Sequence, residues 1–210
     1  MKHATEKLLS ICSGKISDSY ADINLSFSDV VSVFNELHEL LKIKNGFYGF
    51  ESALHVYPSK SIGSEIGLIE WNKKNLWIDS YENLALDSVF FAEDLFGGQF
   101  CLKKDGIYSF DPETALSEKI SDDLEGWCDA IIRDYDFMTG YTLSHAWQQK
   151  NGRLLPGHRL VPKKPFILGG EFDINNLYME KSDYAMRMRA SIALQLKNLK
   201  DGESVELKGI

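Results

Sequence analysis

The sequence predicts an α+β fold: an antiparallel β-sheet with a central meander, packed by several α-helices. Three observations predict it. Short apolar runs at residues 89–92, 99–102 and 107–110 are separated by Gly97-Gly98 and by Lys104-Asp105-Gly106. Asp-Gly between apolar runs is a strong hairpin signal, because glycine accepts the positive φ that the turn needs. Upstream, Val30, Phe34, Leu37 and Leu41 recur at spacings of four, three and four, the period of one helix face. Downstream, Leu124, Trp127, Cys128, Ile131 and Tyr135 repeat that spacing.

Taken in order, residues 1–27 read as a lead-in with a short helix whose apolar side is Leu8, Leu9 and Cys12. Residues 28–210 read as a single domain. Ser28 offers an N-cap and Asp29 a first-turn carboxylate; Lys42 and Lys44 suit the helix's negative end, and Asn45-Gly46 stops it. A strand follows at residues 53–57, ended by Pro58-Ser59. Trp71, Trp77 and Tyr81 are widely spaced and read as core anchors, since aromatics bury large areas. Past the meander, Asp111-Pro112 starts a turn. Ser121 is the expected cap of a helix with Asp122, Asp123 and Glu125 in its first turn. Residues 142–150 predict a helix with Leu143, Ala146 and Trp147 inward, stopped by Asn151-Gly152. Residues 159–162 and 165–168 are short extended pieces, and their prolines favour sheet edges or loops. Ser182 or Asp183 caps a last helix carrying Ala185, Met188, Ile192 and Leu196, and residues 204–207 predict a final strand.

Composition narrows the function. With 44% hydrophobic residues the chain can bury a full core, which excludes a disordered protein. No apolar run reaches the roughly 20 residues of a membrane span, so no membrane insertion is expected. The N-terminus has no apolar segment of a secretory signal, and Cys12, Cys101 and Cys128 read as reduced thiols, which together predict a cytoplasmic protein. Charge is uneven. Residues 79–136 hold 15 acidic and 4 basic side chains, a balance of −11 against −8 for the whole chain. Residues 150–200 hold 10 basic and 4 acidic ones, and the acidic total disfavours a nucleic acid partner. Two readings stand open: two solvated faces of opposite sign, or an acidic face that steers and docks a basic partner. The candidate partner contacts are Glu93, Asp94, Asp122, Asp123, Glu125, Asp134 and Asp136, with Tyr135 as an aromatic anchor.

Catalytic signatures are missing. His3, His38, His55, His145 and His158 are scattered without a second metal ligand at a converging spacing, and no Cys-x-x-Cys occurs. There is no Gly-x-Ser-x-Gly elbow, phosphate loop or Gly-x-Gly-x-x-Gly. Gly169-Gly170-Glu171-Phe172 is similar to the diguanylate cyclase signature but lacks one of its two acidic residues. It reads as a tight loop. No cofactor, metal or catalytic residue is expected, and the chain reads as a binding protein instead of an enzyme.

Residues 90–100 (FFAEDLFGGQF) and 107–111 (IYSFD), with 49–58 (GFESALHVYP), Trp71-Asn72, 159–162 (RLVP) and 165–172 (PFILGGEF), resemble the SUKH superfamily. That group contains fungal cell-wall assembly regulators and many bacterial immunity proteins. The resemblance spans roughly residues 28–207. It implies an antiparallel sheet packed by helices and a binding role. Bacterial members are thought of as immunity proteins that neutralise a toxin domain, often a nuclease or deaminase. The alternative it implies is an adaptor or scaffold of the cell-wall-regulator or translocon-associated type.

Overall fold

The computed structural model describes residues 3–23 and 31–197. Ser28 and Asp29, expected to open a helix, and the strand expected at residues 204–207 lie outside them. Helix α1 (His3–Ile11) turns Ala4, Thr5, Leu8 and Leu9 inward. Leu8 of this helix is fully buried in the main core. Helix α2 (Val31–Ile43) buries Leu37, Leu40 and Leu41 along its apolar stripe.

Strands β1 (Phe47–Gly49) and β2 (Leu54–Val56) are joined by a wound turn. Phe50, Glu51 and Ser52 all take positive φ, at 50°, 50° and 69°. Left-handed backbone costs L-residues roughly 1–2 kcal/mol each. The turn is clamped from outside: the Glu51 carbonyl accepts from Ser144 Oγ (3.2 Å) and Gln148 Nε2 (2.8 Å), and the Ser52 carbonyl from Arg159 Nη1 (3.1 Å). Helix α3 (Leu68–Trp71) and a 3-10 turn (Ile78–Tyr81) then carry Trp71, Trp77 and Tyr81 into the core, where all three are buried.

The expected meander follows as β3 (Val89–Glu93), β4 (Gln99–Lys103) and β5 (Gly106–Phe110). Lys103 pairs with Gly106, so Lys104 and Asp105 form the turn. Gly106 sits at φ 149°, and a Cβ there would lie 2.3 Å from the Ser121 carbonyl oxygen, so the position admits only glycine. Strand β6 (Ser117–Ser121) adds an edge that the sequence does not signal. Its residues are half-buried or exposed and show no apolar alternation. The six strands lie in chain order, each antiparallel to the next.

Helix α4 (Leu124–Arg133) starts later than expected. Asp123 is its N-cap, accepting from the Gly126 N–H at 2.8 Å, while Ser121 ends β6 and donates its hydroxyl to the Asp123 carbonyl. The apolar stripe closes at Ile131; Tyr135 opens a separate helix, α5 (Tyr135–Thr139). Helix α6 (Tyr141–Asn151) buries Trp147. Strand β7 (His158–Pro162) pairs with β8 (Leu177–Lys181) in a second, two-stranded sheet. Between them Phe166–Leu168 forms a 3-10 turn where an extended piece is expected. Helix α7 (Ser182–Leu196) has Lys181 at its N-cap position and no side-chain cap from Ser182 or Asp183. It buries Ala185, Met186, Ala190 and Ile192, and also Arg189, while Met188 is only half-buried.

Both faces of the large sheet are covered. Phe91 and Phe100 meet Trp127 of α4 at centroid distances of 5.0 and 5.5 Å. Phe90 and Phe110 meet Trp77 at 4.7 and 6.3 Å, with α7 closing that side. A smaller core of Ala53, Leu95, Trp147, Leu154, Leu160 and Leu177 joins α6 to the second sheet. Among the described residues no helix is long and apolar enough to cross a membrane.

Candidate functional site

The acidic residues singled out from the sequence are dispersed, and most are engaged by backbone amides. Glu125 accepts from the Ala4 N–H (2.7 Å), the Thr5 N–H (3.0 Å) and the Thr5 hydroxyl (2.7 Å), which fastens the start of α1 to α4. Asp123 caps α4, Asp134 caps α5, and Asp136 accepts from the Thr142 N–H at 2.7 Å at the start of α6. Carboxylates collect here because helix N-termini present unpaired N–H groups and positive potential. Asp122 is exposed and paired with Lys119 at 2.8 Å. Tyr135 is exposed and stacks on Phe50 at 5.2 Å.

Glu93 departs furthest from the expectation of a partner contact. It ends β3 between two covered faces and is fully buried. Its Oε1 lies 2.8 Å from Arg159 Nε and 3.0 Å from His55 Nδ1, and accepts from Ser182 Oγ at 3.1 Å. Burial opposes ionisation of Glu93, but Arg159, His55 and Ser182 outweigh it and hold the carboxyl at about 2. Burial pushes the His55 imidazole down, towards its neutral form. Glu65 extends the cluster, accepting from Tyr48 OH at 2.8 Å. A void of about 10 Å³, too small for a substrate, lies against this cluster. Its chemistry ties the large sheet to β7 and α7.

Open space lies elsewhere. A groove of about 790 Å³ runs over β4, β5 and β6, walled by α5 and the loop that carries Phe166 and Phe172. Four large apolar side chains stand exposed at its edge: Phe137 (85%), Leu116 (68%), Phe172 (64%) and Ile167 (47%). Phe166 and Phe172 stack face to face at 4.0 Å, with Phe96 edge-on to both. Six charged residues line the groove, of which Asp94, Glu113 and Arg189 are at least half-buried. Arg189 is buried, its Nε donating to the Ala185 carbonyl (3.1 Å) and its Nη1 to the Phe96 carbonyl (2.5 Å). Glu113 Oε2 accepts from the Ile167 N–H at 2.8 Å, which fastens the aromatic loop to the end of the sheet. Glu113 Oε1 is buried and has no hydrogen-bond partner. Burial raises the Glu113 carboxyl against the pull of the Ile167 amide and Arg189. Sequence spacing gives no sign of this site, whose lining comes from five separate parts of the chain.

Asp94 is the one acidic candidate that the structure places in the groove. Both hydrogen bonds to its side chain fall on Oδ1, from the N–H groups of Phe96 and Gly98 at 2.8 Å each. Burial pushes its carboxyl up to about 7 against those amides and Arg189. A carboxyl raised on folding stabilises the fold fully below its unfolded value, and that contribution is lost as pH rises through the folded one. Asp94→Asn will therefore raise stability by roughly 1–2 kcal/mol at about pH 8, the burial figure being reduced by solvent at a half-buried group. In urea unfolding the gain will vanish below about pH 4. An equal gain at both pH values would refute the ionised, disfavoured carboxylate.

Among the described residues no group of three or more His, Cys, Asp or Glu side chains could hold a metal ion. No protein-family model matches the sequence, and no curated protein matches it. The fold is similar to the crystal structure of Atu4351 from Agrobacterium tumefaciens, with a TM-score of 0.55 over 88% of this chain and 87% of that one. At 12% identity this likeness defines the class, an α+β protein built on an antiparallel sheet, and nothing of its activity.

Proposed function

We propose that the chain is a non-catalytic binding protein of the immunity type, which neutralises a basic toxin domain, a nuclease or a deaminase, in the cytoplasm. The observation that carries this reading is the ring of exposed apolar side chains around an open groove, with Phe137 and Phe172 most prominent. Exposed aromatics clustered at a concavity are typical anchors of a protein interface. The SUKH resemblance and the acidic balance of residues 79–136 support it further. Capping does not cancel charge: carboxylates bonded to helix termini still contribute to the field that draws a basic partner. The docking face is then the groove and α5, with Tyr135, Asp134 and Asp136 on its flank.

Phe137→Asp will weaken partner binding by about a hundredfold or more, the size of an aromatic hot spot. Stability will be nearly unchanged, because the side chain is already in solvent. The test places a photo-crosslinking residue at position 137 in the native host and identifies the captured protein. That protein is then expressed alone, with this chain, and with the Phe137→Asp variant, and growth is followed. Toxicity relieved by the chain but not by the variant is the expected result. A captured protein that is harmless on its own would instead favour an adaptor role, and protection by the variant would move the docking face elsewhere.

A further inference from the structure

The groove has spare hydrogen-bond acceptors and few spare donors. Glu113 Oε1 is unbonded, and Asp94 takes both of its bonds on Oδ1. Arg189, the one buried cation there, already spends Nε and Nη1 on carbonyl oxygens and turns Nη2 to Met186 Sδ at 3.8 Å. The exposed part of the lining adds Asp111 and Glu118, while Lys119 is held by Asp105 and Asp122. A buried acceptor without a partner is costly, and because Oε1 is closed to solvent a ligand N–H recovers that cost only as the Glu113 side chain turns into the groove. Above these oxygens stand the Phe166–Phe172 stack and Phe137, surfaces on which aliphatic chains and guanidinium planes both pack.

From this we infer that the groove receives one cationic side chain, arginine or lysine, from an apolar-flanked basic segment of the partner protein, with Glu113 and Asp94 as its acceptors and the phenylalanines as its walls. The inference rests on the binding reading above and specifies the chemistry of the bound segment. It also separates two roles for charge: the dispersed carboxylates attract at long range, and the groove selects at contact. Arginine is the better fit, since its forked N–H groups can serve two carboxylates while its plane lies against a ring.

Three capped peptides test it on the full chain: acetyl-Leu-Arg-Phe-amide, the same peptide with citrulline, and the same with glutamate. Citrulline keeps shape and most donors but removes the charge. Binding is followed by titration calorimetry and by the amide resonances of Gly98 and Ile167, whose N–H groups bond the two carboxylates. The arginine peptide will bind about tenfold or more tightly than the citrulline peptide, as a charged hydrogen bond implies, and will shift both resonances. Glu113→Gln, which keeps an acceptor for the Ile167 amide, will erase the difference; Phe172→Ala will weaken both peptides alike. Equal affinities, preference for the glutamate peptide, or no shift at millimolar peptide would each overturn the inference, and none of these comparisons needs a variant to fold. The two proposals fail separately. Arginine selectivity without a toxic partner captured at position 137 leaves the cation site and removes the immunity role. Protection that depends on Phe137, without arginine selectivity, does the reverse.

Discussion

Replacing Arg159 with alanine will destabilise the protein by about 3–5 kcal/mol at neutral pH, the cost of leaving a buried charge without its partner. Arg159 and Glu93 are both fully buried and 2.8 Å apart. The pH dependence makes the prediction specific. In the native chain the Glu93 carboxyl is held at about 2, below its ordinary range. Its contribution to stability is therefore complete above about pH 4.5 and is lost as pH falls through the folded value. In Arg159→Ala the sign reverses, because burial without a cation favours a proton on Glu93 or on His55. The deficit measured by urea unfolding will shrink from about pH 8 to about pH 5. A deficit constant across that interval would mean that lost packing, and not the stranded carboxylate, sets the cost. Replacing both members, Arg159→Met with Glu93→Leu, will recover most of the loss, since a buried pair is often matched by an apolar one of similar volume.

Trp77→Ala will cost a similar amount, about 3–5 kcal/mol, by a different mechanism. The indole touches Trp71, Tyr81, Phe90 and Phe110 at centroid distances from 4.7 to 6.3 Å, and its Nε1 donates to the Trp71 carbonyl at 3.0 Å. Truncation removes the ring around which one face of the sheet is packed and leaves a cavity that four aromatic neighbours cannot collapse into. Trp77→Phe restores most of the volume but strands the carbonyl, so its loss will be smaller, about 1–3 kcal/mol. Urea midpoints should fall in that order with an unchanged dependence on denaturant. A loss for Trp77→Ala under about 1 kcal/mol would be incompatible with a close-packed core at this position.

What the sequence discloses follows from how local each signal is. The meander is legible because Gly97-Gly98 and Asp105-Gly106 mark its turns and the strands between are apolar. The inward residues of α2 and α4 are legible because their period is written in the residues themselves. Strand β6 is not, since an edge strand reading Ser-Glu-Lys-Ile-Ser needs no apolar alternation when only part of it is covered. The acidic candidates show a different limit. An aspartate before an apolar helical stripe reads equally as a cap or as a charged surface, and Asp123, Glu125, Asp134 and Asp136 prove to hold backbone amides. Glu93 and Arg159 lie 66 positions apart, as their numbering shows, and no periodicity connects them. Glu113, Phe137, Phe172 and Arg189 likewise meet only after the sheet, α5 and the loop before β8 are in place.

The turn of Phe50, Glu51 and Ser52 has a consequence for how the molecule comes apart. Three consecutive side-chain-bearing residues wound in the unfavoured hand form a small spring, and the hydrogen bonds from α6 and Arg159 are its catch. If the second sheet and α6 lift away, the catch opens, the spring unwinds, and β1 and β2 lose the bend that brings them side by side. The C-terminal elements and the first hairpin are thus linked in melting: neither outlasts the other, and heat should take the chain apart in a single step.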